Sequence, residues 1–600
     1  MAFSIINNNM AKKTVATQPT PVAQTDPRQE PTAAQTAAQA AAQDTAYLFA
    51  RMPQAEQKVV LENEFLAVTF SNKGAQPVSA QLKGHKAYTG EPLYLFKEGD
   101  ASLSFPLRTN TQRFLETSEV CYQVVSAGPE AVTFRLPFAQ GQYMDIAYTL
   151  PKGSHMLGIH VDLSRIASLL PANLNAYDVE WNLNMPRQEQ AWKFENQYAT
   201  AYYKYPGNDV EKLKPTKKSQ EKSINESVKW ISYTDKYFAT VLIAQKENRL
   251  ENNNLSFTTH DEHAAYVKDF KYSGTYRLSK EGGGTADFSL FMGPLDYKLL
   301  KSYDREAADE DKLELNRMVY LGAWLFRWIN VNLIMPIVGL LEGGIANWGI
   351  IILLLTLIIK LVLSPLTFKS YMSQAKMRVL KPQVDAINAK YPGDDQQMMM
   401  KRSQETMALY RNAGASPMSG CVPMLLQMPF LIALYMFFPT AVALRGESFL
   451  WAKDLSTYDG LIHWGTEIPL IGDHISLFCL LWCITNIFYS KYTMNAGGAA
   501  DNPQMKSMKW MPYIMTIMFF FFFNNQSSGL TYYYFISTLI TILQFVAARM
   551  IINEDKVLAK LEENKKKPKK KSGFMARLEK MQKEQEKMMR EQQKNRARGK

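Results

Sequence analysis

A lone cation, Lys360, sits near the middle of the apolar run 348–368 (WGIIILLLTLIIKLVLSPLTF). A bilayer is crossed by roughly 20 apolar residues, and a lysine at the centre of such a run costs about 2.5–3.5 kcal/mol on insertion scales. Snorkelling would have to carry the amine toward the polar end at Lys369, about 13 Å away at roughly 1.5 Å per residue. That is more than a lysine stem covers without thinning the bilayer. The favoured reading is a helix that faces a wet, protein-lined cavity at the level of Lys360.

The mean hydropathy of −0.23 conceals a division between a soluble-looking first half and an apolar second half. Residues 1–45, rich in Ala, Gln, Thr and Pro, read as a disordered linker. Residues 46–300 carry short alternating runs such as FLAVTF (65–70), AVTFRLPF (131–138), YMDIAYTL (143–150), MLGIHVDL (156–163) and TADFSLFMG (285–293). Period-two alternation broken by Gly, Pro, Asn and Asp predicts a large antiparallel β-sandwich domain. Residues 313–345 mix Trp324, Phe326 and Trp328 with Arg327, Asn330 and Asn332, which predicts an amphipathic helix lying in the membrane interface.

Further apolar segments at 421–444, 475–490, 507–523 and 530–548 bring the expected transmembrane helices to five. Segment 369–420 carries eight Lys/Arg, 491–509 three and the tail after Ala548 eighteen. By contrast 445–474 carries only Arg445 and Lys453, and 524–529 none. The positive-inside rule then makes 369–420, 491–506 and the tail 549–600 cytoplasmic, the 445–474 loop periplasmic, and the β domain external. Nothing ahead of that domain resembles an export signal: the only apolar patch is residues 2–6. The expectation is that the assigned start lies too late and that AFSII is the remnant of a signal-anchor helix.

Chemistry is conspicuous by what the spans lack. None of the five contains Asp or Glu, whereas proton- or sodium-coupled carriers generally use an intramembrane carboxylate. There is no HExxH sequence, Gly282–Gly284 lack the Gly-Lys-Ser/Thr ending of a phosphate loop, and four cysteines form no CxxC. His260-Asp-Glu-His263 reads as a solvated loop rather than a metal site, and the Ser419-Gly and Ser528-Gly pairs as turns. No metal and no cofactor is expected. The spans do hold uncharged polar residues: Thr356, Gln427, Thr485, Asn486, Thr516, Asn524, Asn525, Gln526, Ser537, Thr541 and Gln544. Interhelical hydrogen bonding accounts for about half of them; with Lys360 the rest can line a groove. Segment 369–420 reads as two helices joined by Tyr-Pro-Gly-Asp-Asp (391–395). Their apolar stripes read first as mutual packing in a hairpin, to which Met372, Met398, Met400 and Met407 would add adaptable apolar surface where exposed.

The stretches NWGIIILLLTLIIKLVLSPLTFKSYMSQAKMRVLKPQ, GCVPMLLQMPFLIALYMFF, NPQMKSMKWMPYIMTIMFFFF and SSGLTYYYFISTLITILQ cover most of residues 347–550 in one order and spacing. They resemble the YidC/Oxa/Alb family of membrane protein insertases. The β domain ending in FMGPLDYKLL is similar to the Gram-negative type, whose periplasmic domain is a β-supersandwich. The resemblance implies an inner-membrane insertase and chaperone for nascent membrane proteins, acting alone or with the Sec translocon through a hydrophilic groove. It implies no enzymatic step and no small-molecule substrate. Lys360 falls where the family's groove cation, usually arginine, stands; Thr356 lies one turn away, and Tyr533 and Tyr534 fall at client-contacting aromatic positions. Lysine keeps the charge of arginine but loses its planar fork. A first transmembrane helix, present in Gram-negative members, is not visible here.

The tail carries Lys565, Lys566, Lys567, Lys569, Lys570 and Lys571. Ribosomal RNA phosphates and anionic lipid headgroups would both attract it; basic tails of relatives resemble ribosome-binding extensions, which favours the ribosome. A small-solute transporter is disfavoured by the missing carboxylates, and a β-domain binding module tethered by structural spans would leave Lys360 dispensable. Sequencing upstream of Met1 checks the anchor expectation: in-frame hydrophobic codons support it, and a stop codon directly upstream contradicts it.

Overall fold

The computed structural model describes residues 55–566 apart from 111–113, 139–140, 172–175, 208–209, 246–248, 263, 279–283, 393–394, 415–421, 469–470 and 497–509. The linker 1–45 and the patch 2–6 lie outside the described residues. Each of the five alternating runs forms one strand, and the domain is all-antiparallel, as the period-two pattern demands. A nine-stranded sheet runs in the order Val210–Lys212, Thr200–Lys204, Trp230–Thr234, Phe238–Ala244, Thr285–Pro294, Met156–Asp162, Tyr143–Thr149, Ala131–Pro137, Gln123–Ala127. A five-stranded sheet (Ser219–Ile224, Leu250–Thr259, Tyr266–Tyr276, Tyr177–Pro186, Ala101–Ser104) and a four-stranded one beginning at Lys58 share its core.

The middle of the large sheet breaks the alternation. Every residue of Phe238–Ala244 is buried. Phe238, Leu242 and Ala244 point into the β-domain core. Ala239, Val241 and Ile243 point the other way, into a second core that continues into the helices. A strand covered on both faces loses its polar alternation, which is why FATVLIA reads as a continuous apolar run. One sheet thus serves two hydrophobic cores.

After the short helices α1 (Trp192–Tyr198) and α2 (Tyr297–Ser302), the chain enters α3, Trp324–Glu342. Length and composition would let α3 cross a membrane, as they would Trp348–Val379 and Ser528–Ile551. Its contacts argue otherwise. Arg327, near its start, lies 5.8 Å from the Tyr297 ring, and Glu342, at its end, pairs with Lys298 at 3.1 Å. Both ends therefore rest against α2, and Trp324, Trp328 and Leu340 stay exposed along it, so α3 lies across the base of the β domain.

Boundaries in the helical half differ from the hydropathy reading. The run 348–368 is only part of α4, Trp348–Val379, which continues through Pro365 because the following KSYMSQAKMRV has no breaker. The 369–420 hairpin accordingly consists of the end of α4, α5 (Lys381–Lys390) and α6 (Gln396–Ala413). The 421–444 segment is α7 (Val422–Phe437) followed by two 3-10 turns around Pro439. The 445–474 loop contains a β-hairpin, Gly460–Ile468 with Gly472–Ser476. Helices α8 (Leu477–Ala496), α9 (Met511–Phe523), α10 (Ser528–Ile551) and α11 (Glu554–Lys566) complete the described chain. Exposed Leu357, Leu361, Val362, Ile514, Ile517, Phe522 and Leu543 give the bundle an apolar surface, as a bilayer requires.

A buried ion pair joins the two halves. Arg445, just past α7, donates to Glu189 Oε1 at 2.7 Å, to the Gln188 carbonyl at 3.1 Å and to the Lys86 carbonyl. Both side chains are under a tenth exposed. Lys236 and Tyr237 donate to the Ser456 carbonyl in the same loop. Burial pushes the Asp235 carboxyl up to about 7, against the backbone N–H donors of Phe238 and Tyr237 that pull it down. Burial also raises Glu195, and does so well beyond the usual carboxylate range. A carboxyl with a raised folded-state pKa stabilises fully at low pH and loses that contribution as pH rises through the folded value. Asp235→Asn is thus expected to flatten the decline in the thermal unfolding midpoint between about pH 4 and 7. Arg445→Leu, leaving Glu189 buried and unpaired, should cost about 3–5 kcal/mol in the same assay.

Candidate functional site

Lys360 and α10 form the centre of the helical half. Helices α4 and α10 pack side by side, and Lys360 lies on the face of α4 turned to α10, only 4 % exposed. Its Nζ donates to Thr541 Oγ1 at 2.8 Å. Thr541 in turn donates to the Ser537 carbonyl at 2.7 Å, so its lone pairs are free to accept the amine. Gln544, one turn on, turns its Nε2 toward the Lys360 carbonyl at 3.5 Å. The apolar run is thus interrupted by a charge that is neither snorkelled nor in open water. It is parked on a hydroxyl between two helices.

The other site residues expected from the sequence spread around this point. Thr356 is fully buried one turn before Lys360, its hydroxyl bonded to the Ile352 carbonyl at 2.6 Å. Tyr533 and Tyr534, two turns before Thr541, sit in an aromatic cluster. Tyr533 packs on Phe438 (5.6 Å between centroids) and Tyr534 on Trp482 and Phe523 (5.8 and 5.1 Å). Gln427 on α7 is half-buried. Met372 belongs to α4 rather than to a separate hairpin helix, and packs where Tyr371 meets Phe545. Met398 and Met400 are half-buried on α6, and Met407 is exposed. The hairpin is held by Lys390 and Tyr391 on Glu405 (2.9 and 2.6 Å) and by Leu380, Ala413 and Leu561 from α11. Lys565 and Lys566 close α11; Lys567, Lys569, Lys570 and Lys571 lie outside the described residues.

Several span polars serve structure. Asn486 donates to Thr516 Oγ1 at 2.8 Å between α8 and α9, and Asn524 binds the Ile471 and His474 carbonyls and the Ser476 N–H. His260 is engaged by Asp269 at 2.6 Å, while His263 lies outside the described residues. Among the described residues no group of three or more His, Cys, Asp or Glu could hold a metal ion. What sequence reasoning missed is the pairing of Thr541 with Lys360. The signal was available: Ser537, Thr541 and Gln544 fall at helical spacing on one face of an apolar helix.

A large all-β domain, a helix laid across its base and an apolar bundle that buries Lys360 define a polytopic membrane protein with a charge among its apolar helices. The chain belongs to the YidC family of membrane protein insertases. Residues 340–557 match the family described as 60Kd inner membrane protein, and residues 58–335 match the YidC periplasmic domain. A Porphyromonas gingivalis protein named membrane protein insertase YidC is 48 % identical over 551 residues, 91 % of this chain and 87 % of its own length. A Parabacteroides distasonis protein of the same name is 45 % identical over 90 % of this chain and 85 % of its own. A solved YidC insertase with its first transmembrane domain resolved is 20 % identical, covering 85 % of this chain and 97 % of that one, at TM-score 0.33.

Thr541→Val removes the acceptor of a buried amine and is expected to cost about 1.5–3 kcal/mol, read as a lower unfolding midpoint in detergent. Thr356→Val, which loses only a bond within its own helix, should shift the midpoint by much less.

Proposed function

We propose that this protein inserts nascent integral membrane proteins into the inner membrane and helps them fold, alone or beside the Sec translocon, through a hydrophilic groove centred on Lys360. The carrying observation is an ammonium held inside an apolar bundle on a single hydroxyl. A client segment can compete for that amine. Hydrophobic partitioning of the client drives insertion, and a cation within the membrane shortens the barrier to the client's polar end. No bond is made or broken, so the protein is not an enzyme.

In this reading the β domain is periplasmic and the hairpin and tail are cytoplasmic, supported by the eight Lys/Arg of 369–420 and the eighteen after Ala548. Thr356, Gln427, Tyr533 and Tyr534 contact the client within the membrane, and Met372, Met398, Met400 and Met407 offer it apolar surface at the cytoplasmic mouth. Lys565, Lys566, Lys567, Lys569, Lys570 and Lys571 draw the ribosome to that mouth, with anionic lipid as the competing partner.

In cells depleted of the protein, a reporter with one or two spans should stall, and the wild-type chain should restore it. A variant lacking residues 369–412 should fail to restore it, and Lys360→Leu should insert about three- to tenfold less, corresponding to roughly 0.7–1.4 kcal/mol. Full rescue by the hairpin deletion would overturn the proposal. Loss of rescue confined to deletion of 46–300 would instead favour a β-domain binding module.

A further inference from the structure

Two polar atoms on α10 stand buried with no partner: the Tyr534 hydroxyl and Gln544 Oε1. Both flank the Lys360–Thr541 contact, one on each side along the helix. Gln544 cannot relieve its oxygen by flipping, because its amide N–H₂ already faces the Lys360 carbonyl. In an apolar bundle such atoms carry their full desolvation penalty, and native structures retain few of them. At 100° per residue, Tyr534, Ser537, Thr541 and Gln544 fall within an arc of about 80° on α10. They lie along one stripe of α10, where Thr541 and Gln544 reach Lys360 on α4 and the Tyr534 ring packs against Trp482 and Phe523.

The unmet capacity of this stripe has a definite character. Lys360 Nζ has used one of three donors, Gln544 Oε1 only accepts, and Tyr534 can do both. A carboxylate would satisfy the lysine and be repelled by the amide oxygen. A polypeptide backbone satisfies all three, its carbonyls meeting Lys360 and its N–H groups meeting Gln544. Ten residues of helix separate Tyr534 from Gln544, about 15 Å, which an extended chain covers in about four to five residues.

Resting on the groove reading above, we propose that Gln544 is a client-binding residue that, with Tyr534, hydrogen-bonds the backbone of an extended client segment lying across Lys360. The groove therefore recognises peptide groups irrespective of side-chain charge.

Gln544→Met keeps the length and approximate volume of the side chain and removes the Oε1 acceptor together with the long 3.5 Å contact from Nε2 to the Lys360 carbonyl. In the full-length protein it is expected to lower insertion of a reporter with a neutral Ser/Asn/Gly translocated segment about three- to tenfold, while the unfolding midpoint in detergent stays level or rises. Tyr534→Phe should act in the same direction, and the double variant should lose less than the product of the two. Unchanged insertion by Gln544→Met overturns the inference, and so does a midpoint that falls in step with insertion. A photo-crosslinker at Ser537 separates the two levels. Adducts with a stalled client in wild type, together with unimpaired Gln544→Met, sink the backbone contact alone; absence of adducts in wild type sinks the groove reading and this inference with it.

Discussion

A bilayer core offers an amine neither water nor counter-ion, so the position of Lys360 dictates what must stand beside it. Its partner is Thr541, and that contact ties α10 to α4 at the level of Lys360. The start of α10 is fixed by other means: the Ser528 and Gly529 N–H groups donate to the Thr457 and Leu455 carbonyls at 2.7 and 2.9 Å. The same loop packs Phe449 so tightly on Gly349 that a Cβ there would lie about 2.0 Å from the ring. Loop 445–459 therefore clamps the N-terminal ends of α4 and α10, and the amine pairs them further along.

The β domain grips that loop. Arg445 reaches Glu189, and Lys236 and Tyr237 reach the Ser456 carbonyl. Beneath these polar contacts, the outward face of Phe238–Ala244 joins the core that includes Trp348, Leu355 and Tyr533. The junction is thus both apolar and ionic. Truncating one member of its buried pair would cost more than the pair itself contributes, since the remaining charge would be stranded.

Legibility in the sequence followed periodicity. Strands with one wet face, such as Ala131–Pro137, showed their alternation; Trp230–Thr234 and Phe238–Ala244, buried on both faces, carried none. The extension of α4 to Val379 was masked because hydropathy falls at Lys369 while helix propensity does not. Lys360 stood out through its energetic cost, but its partner did not: a threonine in an apolar helix usually bonds its own backbone, as Thr356, Thr485 and Thr538 do. The Arg445–Glu189 pair, 256 residues apart in sequence, left no local signal. Family resemblance singled out Lys360, Thr356, Tyr533 and Tyr534, yet the enclosure of Lys360 is a property of packing.

The central claim is that clients enter along the face of α4 that bears Lys360. Site-specific photo-crosslinking of a stalled nascent chain tests it directly, comparing probes at Thr356 and Tyr534 with probes at Leu361 and Val362, which are 73 % and 60 % exposed on the apolar surface. Adducts concentrated at 356 and 534 are the predicted result. Adducts concentrated at 361 and 362, with none at 356 or 534, would contradict the account.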